Sequence, residues 1–221
     1  MGRRFLITGT EGGVGKTTIG CALGFAFRAR GMRVGVMKPV DTGCIDRDGE
    51  LYSADAQSLA LAASCAIPLE TICPYRYRSR LAPAVAAEVE QSPPPDIATI
   101  SRYFREIANQ SDALLVEGAG GLADPVAWGT DFADLAAMLD LEVVAVAANR
   151  PGCINAATLA LSYMEAKSLK VAGLILCDVD QEESPATRTN ERSLQRIAGP
   201  LYLGRMRYRE PLAKSIVESL L

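Results

Sequence analysis

Residues 5–18 read FLITGTEGGVGKTT. Phe5-Leu6-Ile7 is an apolar run of the kind buried inside a sheet. Glycines at 9, 12, 13 and 15 follow, and Gly15-Lys16-Thr17-Thr18 opens a stretch with helical character. Strand, glycine-rich turn, Lys-Thr and helix, in that order, make the layout of a phosphate-binding loop. Glycines let the backbone wrap a polyphosphate with successive N–H groups turned inward, and the helix behind them adds the positive end of its dipole. Lys16 is expected on the β- and γ-phosphates and the Thr17 hydroxyl on Mg2+. Glu11, Gly12, Gly13, Val14, Gly15 and Thr18 complete the expected nucleotide loop. The spacing departs from the common G-x-x-x-x-G-K-[ST], which needs a glycine where Thr10 stands; Gly9 lies one residue earlier. An ordinary strand–helix turn carrying Gly-Lys-Thr by chance does not account for strand, glycines, cation and helix all agreeing in order.

Outward from this stretch, apolar strands alternate with helical runs. Strands are expected at 33–37, 113–116, 143–147, 171–176 and 201–203. Helices are expected at 16–30, from the Ser53 cap, at about 96–110 behind an Asp96 cap, at 131–140, 153–166 and 186–198, and from about 211. Residues 46–52 read as a polar connector, 67–95 as the least regular part, and 118–121 as a glycine turn. The alternation implies an α/β protein: a single-domain P-loop NTPase fold over residues 1–221, with a mostly parallel central sheet and helices on both faces. Ligands of such a sheet bind beyond the strand C-termini. The loops at 9–17, 38–42, 117–121, 149–155 and 177–178 all fall there.

Composition limits the chemistry. The 221 residues are 49% hydrophobic with net charge −3, mean hydropathy +0.12 and pI 5.2. That describes a well-buried globular chain and gives no electrostatic case for nucleic acid. Interleaved Tyr and Arg at 75–80 are better read as a solvated, substrate-covering loop. No apolar run approaches the roughly 20 residues that cross a bilayer. The N-terminus runs straight into the first strand, so no signal peptide is expected. Six scattered cysteines without C-x-x-C fit reduced thiols in the cytoplasm. The chain has no histidine, which removes His bases, His-activated nucleophiles and His-ligated metals.

Three further residues carry chemical meaning. Glu117 closes an apolar strand, where an acid holds Mg2+ directly or through water. Asp55 falls in the first turn of a helix, where an acid commonly answers the dipole. Lys38 is a cation at the end of a buried-type strand, just before a proline.

FLITGTEGGVGKT, KPVDTG (38–43), SADAQSLAL (53–61), VEGAGG (116–121) and PGCIN (151–155), in this order over nearly the whole chain, resemble dethiobiotin synthetase. The resemblance implies an ATP- and Mg2+-dependent cyclo-ligase that takes 7,8-diaminononanoate and CO2 to dethiobiotin, ADP and phosphate. It implies Thr17, Asp55 and Glu117 as metal ligands, and Lys16 and Lys38 as catalytic groups. It places Thr10, Lys38, Thr42 and Gly118 around diamine and carbamate, and Cys177 and Asp178 at the nucleotide base. Gly152, Cys153, Ile154 and Asn155 would bind the substrate carboxylate across a homodimer interface. No His base is required, since an amine beside a second ammonium and Lys38 has a lowered pKa. The chain departs from the family with Glu11 for an Asp, Cys177 for an Asn that reads the base, and GRMRY (204–208) lacking a proline. A thiol cannot replace an amide's paired donor and acceptor, so looser base selection is expected. The alternative is a regulatory ATPase of the chromosome-partitioning type, whose loop EGGVGKTT also resembles. That class carries a lysine where Glu11 stands, and it leaves Lys38 and Thr42 without a role.

Overall fold

A computed structural model describes residues 2–221. The first strand, β1 (Arg3–Gly9), leads through the glycine loop into α1 (Lys16–Arg28). Next come β2 (Val34–Met37), β3 (Val40–Thr42), a hairpin of β4 (Ile45–Arg47) and β5 (Glu50–Tyr52), and α2 (Ala54–Ala63). The irregular segment holds α3 (Leu69–Ile72), β6 (Tyr75–Tyr77) and α4 (Pro83–Val89). Beyond it lie α5 (Ile97–Ala108), β7 (Ala113–Gly121), the β8 (Pro125–Ala127) and β9 (Thr130–Asp131) pair, and α6 (Phe132–Met138). The chain continues through β10 (Glu142–Ala148), α7 (Cys153–Ala166), β11 (Lys170–Cys177), α8 (Pro185–Ala198), β12 (Tyr202–Met206) and α9 (Lys214–Ser219).

Six strands form one sheet in the order β12-β11-β10-β1-β7-β2, with every pairing parallel. Side chains alternate between the two faces. Phe5, Ile7, Ala113 and Leu115 join Ile19, Leu23 and Phe27 of α1, Leu59 of α2 and Ile216 of α9 in one core layer. Leu6, Leu114 and Val116 join Ile100 and Phe104 of α5, Phe132 of α6, Met164 of α7 and Leu194 of α8 in the other. Burial on both faces is why these strands read as unbroken apolar runs. Asp96 caps α5 by accepting from the Ala98 and Thr99 amides, and Ser53 caps α2 by accepting from Ala56.

Four expectations change. Residues 118–121 do not turn: β7 runs on to Gly121, which pairs with Gly9, while Ile7 pairs with Glu117. Gly118–Gly120 therefore bulge opposite Thr8 alone, and Gly120 sits at φ +74°. Residues 46–52 are a hairpin, turned at Asp48 and Gly49 with φ +55° and +89°; Asp-Gly is the signal for such a turn. β12 extends to Met206, because after a register shift between Leu174 and Ile175 it pairs with β11 from Ile175 to Cys177. The last helix starts at Lys214, behind Ala213, whose extended backbone (φ −60°, ψ +138°) forms the N-cap.

Candidate active site

β1 lies between β10 and β7, so the sheet order reverses about its C-terminal end. A crevice opens at such a point. The glycine loop fills it. A Cβ at Gly9 would stand 2.6 Å from the Glu11 carbonyl oxygen and 3.1 Å from Lys16 Nζ; this is why the glycine is needed at 9 rather than at 10. Gly13 and Gly15 hold φ of +71° and +97°. Gly15 starts α1 with no side-chain cap, which leaves the first helical amides to an anion. Val14 is fully buried and anchors the loop in the core.

Two cations and three acids converge beside the loop. Lys16 Nζ donates to the Gly120 carbonyl at 2.7 Å and the Glu11 carbonyl at 3.1 Å. The β7 bulge turns Gly120 toward it. Burial, and then the neighbouring Lys38 ammonium, bring the Lys16 pKa down to about 8. Lys38 Nζ lies 2.5 Å from Glu117 Oε1, 3.0 Å from Asp55 Oδ2, 3.4 Å from the Gly118 carbonyl and 3.8 Å from Asp41 Oδ1. Burial opposes its charge, but the Glu117, Asp41 and Asp55 carboxylates prevail and hold its pKa above the usual lysine value. Asp41 is fixed in turn by the Ser53 hydroxyl at 2.5 Å. The Thr17 hydroxyl donates to Glu117 Oε1 at 2.9 Å, while Glu117 Oε2 is buried without a hydrogen-bond partner.

These oxygens fit a magnesium ion. Mg2+ takes hard oxygen donors, usually one or two carboxylates completed by water and substrate phosphates. Thr17, Asp55 and Glu117 supply a hydroxyl and two carboxylates, and the unpartnered Glu117 oxygen is one more acceptor for a bound cation or its water. Among the described residues no three His, Cys, Asp or Glu side chains converge into a protein-only cage.

One cleft of about 950 Å3 unites these groups. Of the residues singled out from sequence, Gly12, Gly13, Gly15, Lys16, Thr17, Thr18, Lys38, Thr42, Asp55, Glu117, Cys177 and Asp178 line it. Thr10, Glu11, Val14, Gly118 and Gly152–Asn155 do not. Glu11 instead pairs with Arg150 at 2.8 Å, tying the loop to the turn before α7. Asp41 of the 38–42 loop and Arg80 of the 75–80 run also line the cleft, where the sequence put those segments, while sequence reasoning missed Tyr52, Leu81, Ala82 and Asp124. Asp124 accepts from the Gly121 amide at 2.6 Å and braces the bulge. No local pattern marks these residues, because distant elements bring them in.

A family model described as AAA domain matches residues 3–215. A ParA family ATPase from Chlorobium tepidum TLS superposes with TM-score 0.55 at 18% identity, covering 99% of this chain and 98% of that one. The septum site-determining protein MinD of Pyrococcus horikoshii OT3, complexed with Mg-ADP, gives TM-score 0.55 at 18% identity, covering 99% and 86%. Those likenesses show a P-loop fold. Much nearer in sequence, the ATP-dependent dethiobiotin synthetase BioD of Anaeromyxobacter sp. (strain K) is 38% identical over 96% of this chain and 88% of its own length. The one from Anaeromyxobacter dehalogenans (strain 2CP-1 / ATCC BAA-258) is also 38% identical over 96% and 88%. The chain belongs to the dethiobiotin synthetase family. The ParA and MinD proteins share its fold at 18% identity, whereas these synthetases reach 38% over 96% of the chain.

The far end of this synthetase's cleft is closed by β11 and the residues that follow β12. Cys177, Asp178 and Val179 face Met206–Arg209 there. Burial pushes the Cys177 thiol up to about 11. The Asp178 carboxylate is already engaged: it accepts from Arg205 Nε at 3.0 Å, Arg205 Nη2 at 2.8 Å and Asn149 Nδ2 at 2.8 Å. Asn149 is held in turn by Asn190. A base amine arriving here meets a carboxylate whose acceptor sites are largely spent. The six cysteines are free thiols among the described residues, and no described helix is long and apolar enough to cross a membrane.

Proposed function

We propose that this chain is an ATP- and Mg2+-dependent dethiobiotin synthetase in which residues 1–221 work as one P-loop domain. It carboxylates 7,8-diaminononanoate with CO2, phosphorylates the carbamate and closes the ureido ring, releasing ADP and phosphate. The observation that carries the reading is the meeting of Lys16, Lys38, Thr17, Asp55 and Glu117 in the cleft at the loop, in a chain 38% identical to named synthetases.

Each step follows from charge. The attacking amine must be neutral, and the substrate's second ammonium together with Lys38 lowers its pKa. The carbamate oxygen then attacks the γ-phosphorus. Lys16 and the loop amides hold the charge that develops on the phosphoryl oxygens. Thr17, Asp55 and Glu117 would hold magnesium, which would supply neutralisation of the phosphate charge. The second amine attacks the carbamoyl carbon and phosphate leaves. Water must be kept from this mixed anhydride, and Arg80–Ala82 of the 67–95 segment provide the cover. Lys38 and Thr42 orient diamine and carbamate, with Thr10 and Gly118 beside them. Cys177 and Asp178 face the base.

Two copies are taken to share the site, in the cytoplasm. Gly152 sits at φ +90° and opens the 14-residue α7 without a side-chain cap. The Cys153 amide donates to the Arg150 carbonyl, but those of Ile154 and Asn155 suit a carboxylate, and their place outside this chain's own cleft supports delivery to a partner's. Mixing Lys38→Ala with Asn155→Ala chains should restore activity that neither variant has alone. The decisive test of the function is incubation with diamine, bicarbonate, Mg2+ and ATP, with dethiobiotin detected by mass. Product should form, and Lys38→Ala should abolish it while nucleotide binding persists. No product under conditions that support nucleotide binding would overturn the assignment.

A further inference from the structure

The ammonium of Lys38 stands where the two acidic metal ligands meet. It touches Glu117 Oε1 at 2.5 Å and Asp55 Oδ2 at 3.0 Å, and the first of these oxygens also receives the Thr17 hydroxyl. Both Lys38 and Glu117 are sealed from solvent, with side chains 2% and 1% exposed. A carboxylate that deep is strongly destabilising unless a cation sits against it. Lys38 fills that need in the protein by itself. A divalent cation on these two carboxylates, even one received by the unpartnered Glu117 Oε2, would face a fixed positive charge at close range, and that repulsion favours moving the ammonium away.

We propose that Lys38 is the resident counter-cation of Glu117 and Asp55, and that a divalent cation binds by displacing it. The lysine has a second berth within reach. Asp41 Oδ1 lies 3.8 Å from Nζ, and Asp41 is held rigid by Ser53 and accepts from the Thr42 amide at 3.0 Å. A flexible four-carbon stem allows a short swing of the ammonium away from Glu117 toward Asp41. Displacement therefore moves the positive charge to the Asp41–Thr42 side of the cleft, where diamine and carbamate are placed in the proposed function, on which this inference rests. Metal loading and readiness for the second substrate become one event. Exchange also keeps metal affinity low until nucleotide phosphates add their own ligands, since each incoming ion must first free two carboxylates.

The test needs no turnover. Free Mn2+ is followed by electron paramagnetic resonance during titration of the full-length, nucleotide-free protein. Lys38→Met should bind Mn2+ at least tenfold more tightly than the wild type, and adding Asp55→Asn should remove that gain. Lys38→Met should also melt lower than the wild type without metal and recover when Mn2+ is added. Where Lys38→Met does not fold, Lys38→Gln, whose neutral amide still donates to Glu117, serves in the same comparison. Equal or weaker Mn2+ binding by the neutral variant overturns the inference. If the wild type makes dethiobiotin but shows no such exchange, only the inference fails. If exchange is seen without dethiobiotin, only the function fails.

Discussion

Gly15→Ala probes the point where the glycine loop touches Cys177 at the far end of the cleft. Two independent penalties act there. Gly15 holds φ +97°, and a Cβ on it would lie 2.6 Å from Cys177 Sγ. The left-handed backbone costs a non-glycine residue about 1–2 kcal/mol, and overpacking of a filled site adds about 1–3 kcal/mol. Together they come to about 3 kcal/mol. For a chain of this size each kcal/mol lowers Tm by roughly 2–4 °C, so Gly15→Ala should melt roughly 6–12 °C lower. Cys177→Ala removes the sulfur and leaves only the Cβ, 3.4 Å away, an ordinary contact. It relieves the clash but not the φ. By itself it should cost about 1 kcal/mol. The double variant should then be about 1–2 kcal/mol more stable than the sum of the single effects. Thermal and urea unfolding of the four proteins measure that coupling. If the effects add within about 0.5 kcal/mol, Cys177 is not what keeps residue 15 a glycine, and the close packing of loop on β11 is refuted.

Base selection should be loose: turnover with ATP, CTP and GTP should agree within about tenfold, because a thiol and an Arg205-saturated Asp178 offer little discriminating hydrogen bonding. Strict ATP dependence would contradict that. Alkaline stability should fall. Burial raises Cys21 and Cys177 to about 11 and Cys44 to about 12, from the ordinary thiol value of 9.0. The unfolded chain therefore sheds these protons near pH 9 while the folded one keeps them, and stability drops between pH 9 and 11 by at most about 1.4 kcal/mol per pH unit per thiol. Urea midpoints at pH 8 and pH 10 should show the drop, and Cys177→Ala should flatten it; a constant midpoint would refute the burial. Asp96→Ala removes the cap from the Ala98 and Thr99 amides and should cost about 1 kcal/mol, roughly 2–4 °C of Tm. An unchanged Tm would mean those amides find water as readily as the carboxylate.

Much of the molecule was legible along the chain. Phe5–Ile7, Ala113–Val116 and Val143–Ala147 are buried on both faces of a parallel sheet, and such strands announce themselves as apolar runs. Caps at Ser53 and Asp96 are local chemistry, so the helix starts followed. The loop residues Lys16 and Thr17, and the strand-end Lys38 and Glu117, were found because their meaning depends on neighbours in sequence. The Gly118–Gly121 run misled, since glycines that permit a turn equally permit a bulge, and pairing with β1 decides between them.

The sequence by itself determined the nucleotide loop, the alternation that makes a parallel sheet, and the absence of histidine chemistry. Only the tertiary structure decided how the charges share the cleft. It set Lys38 against Glu117 and Asp55, 79 and 17 residues away, bound Asp178 to Arg205, and left Gly152–Asn155 outside this chain's own cleft. Charge pairing depends on distances between strand ends. Those distances come from the order in which strands lie in the sheet, which no local pattern of residues records.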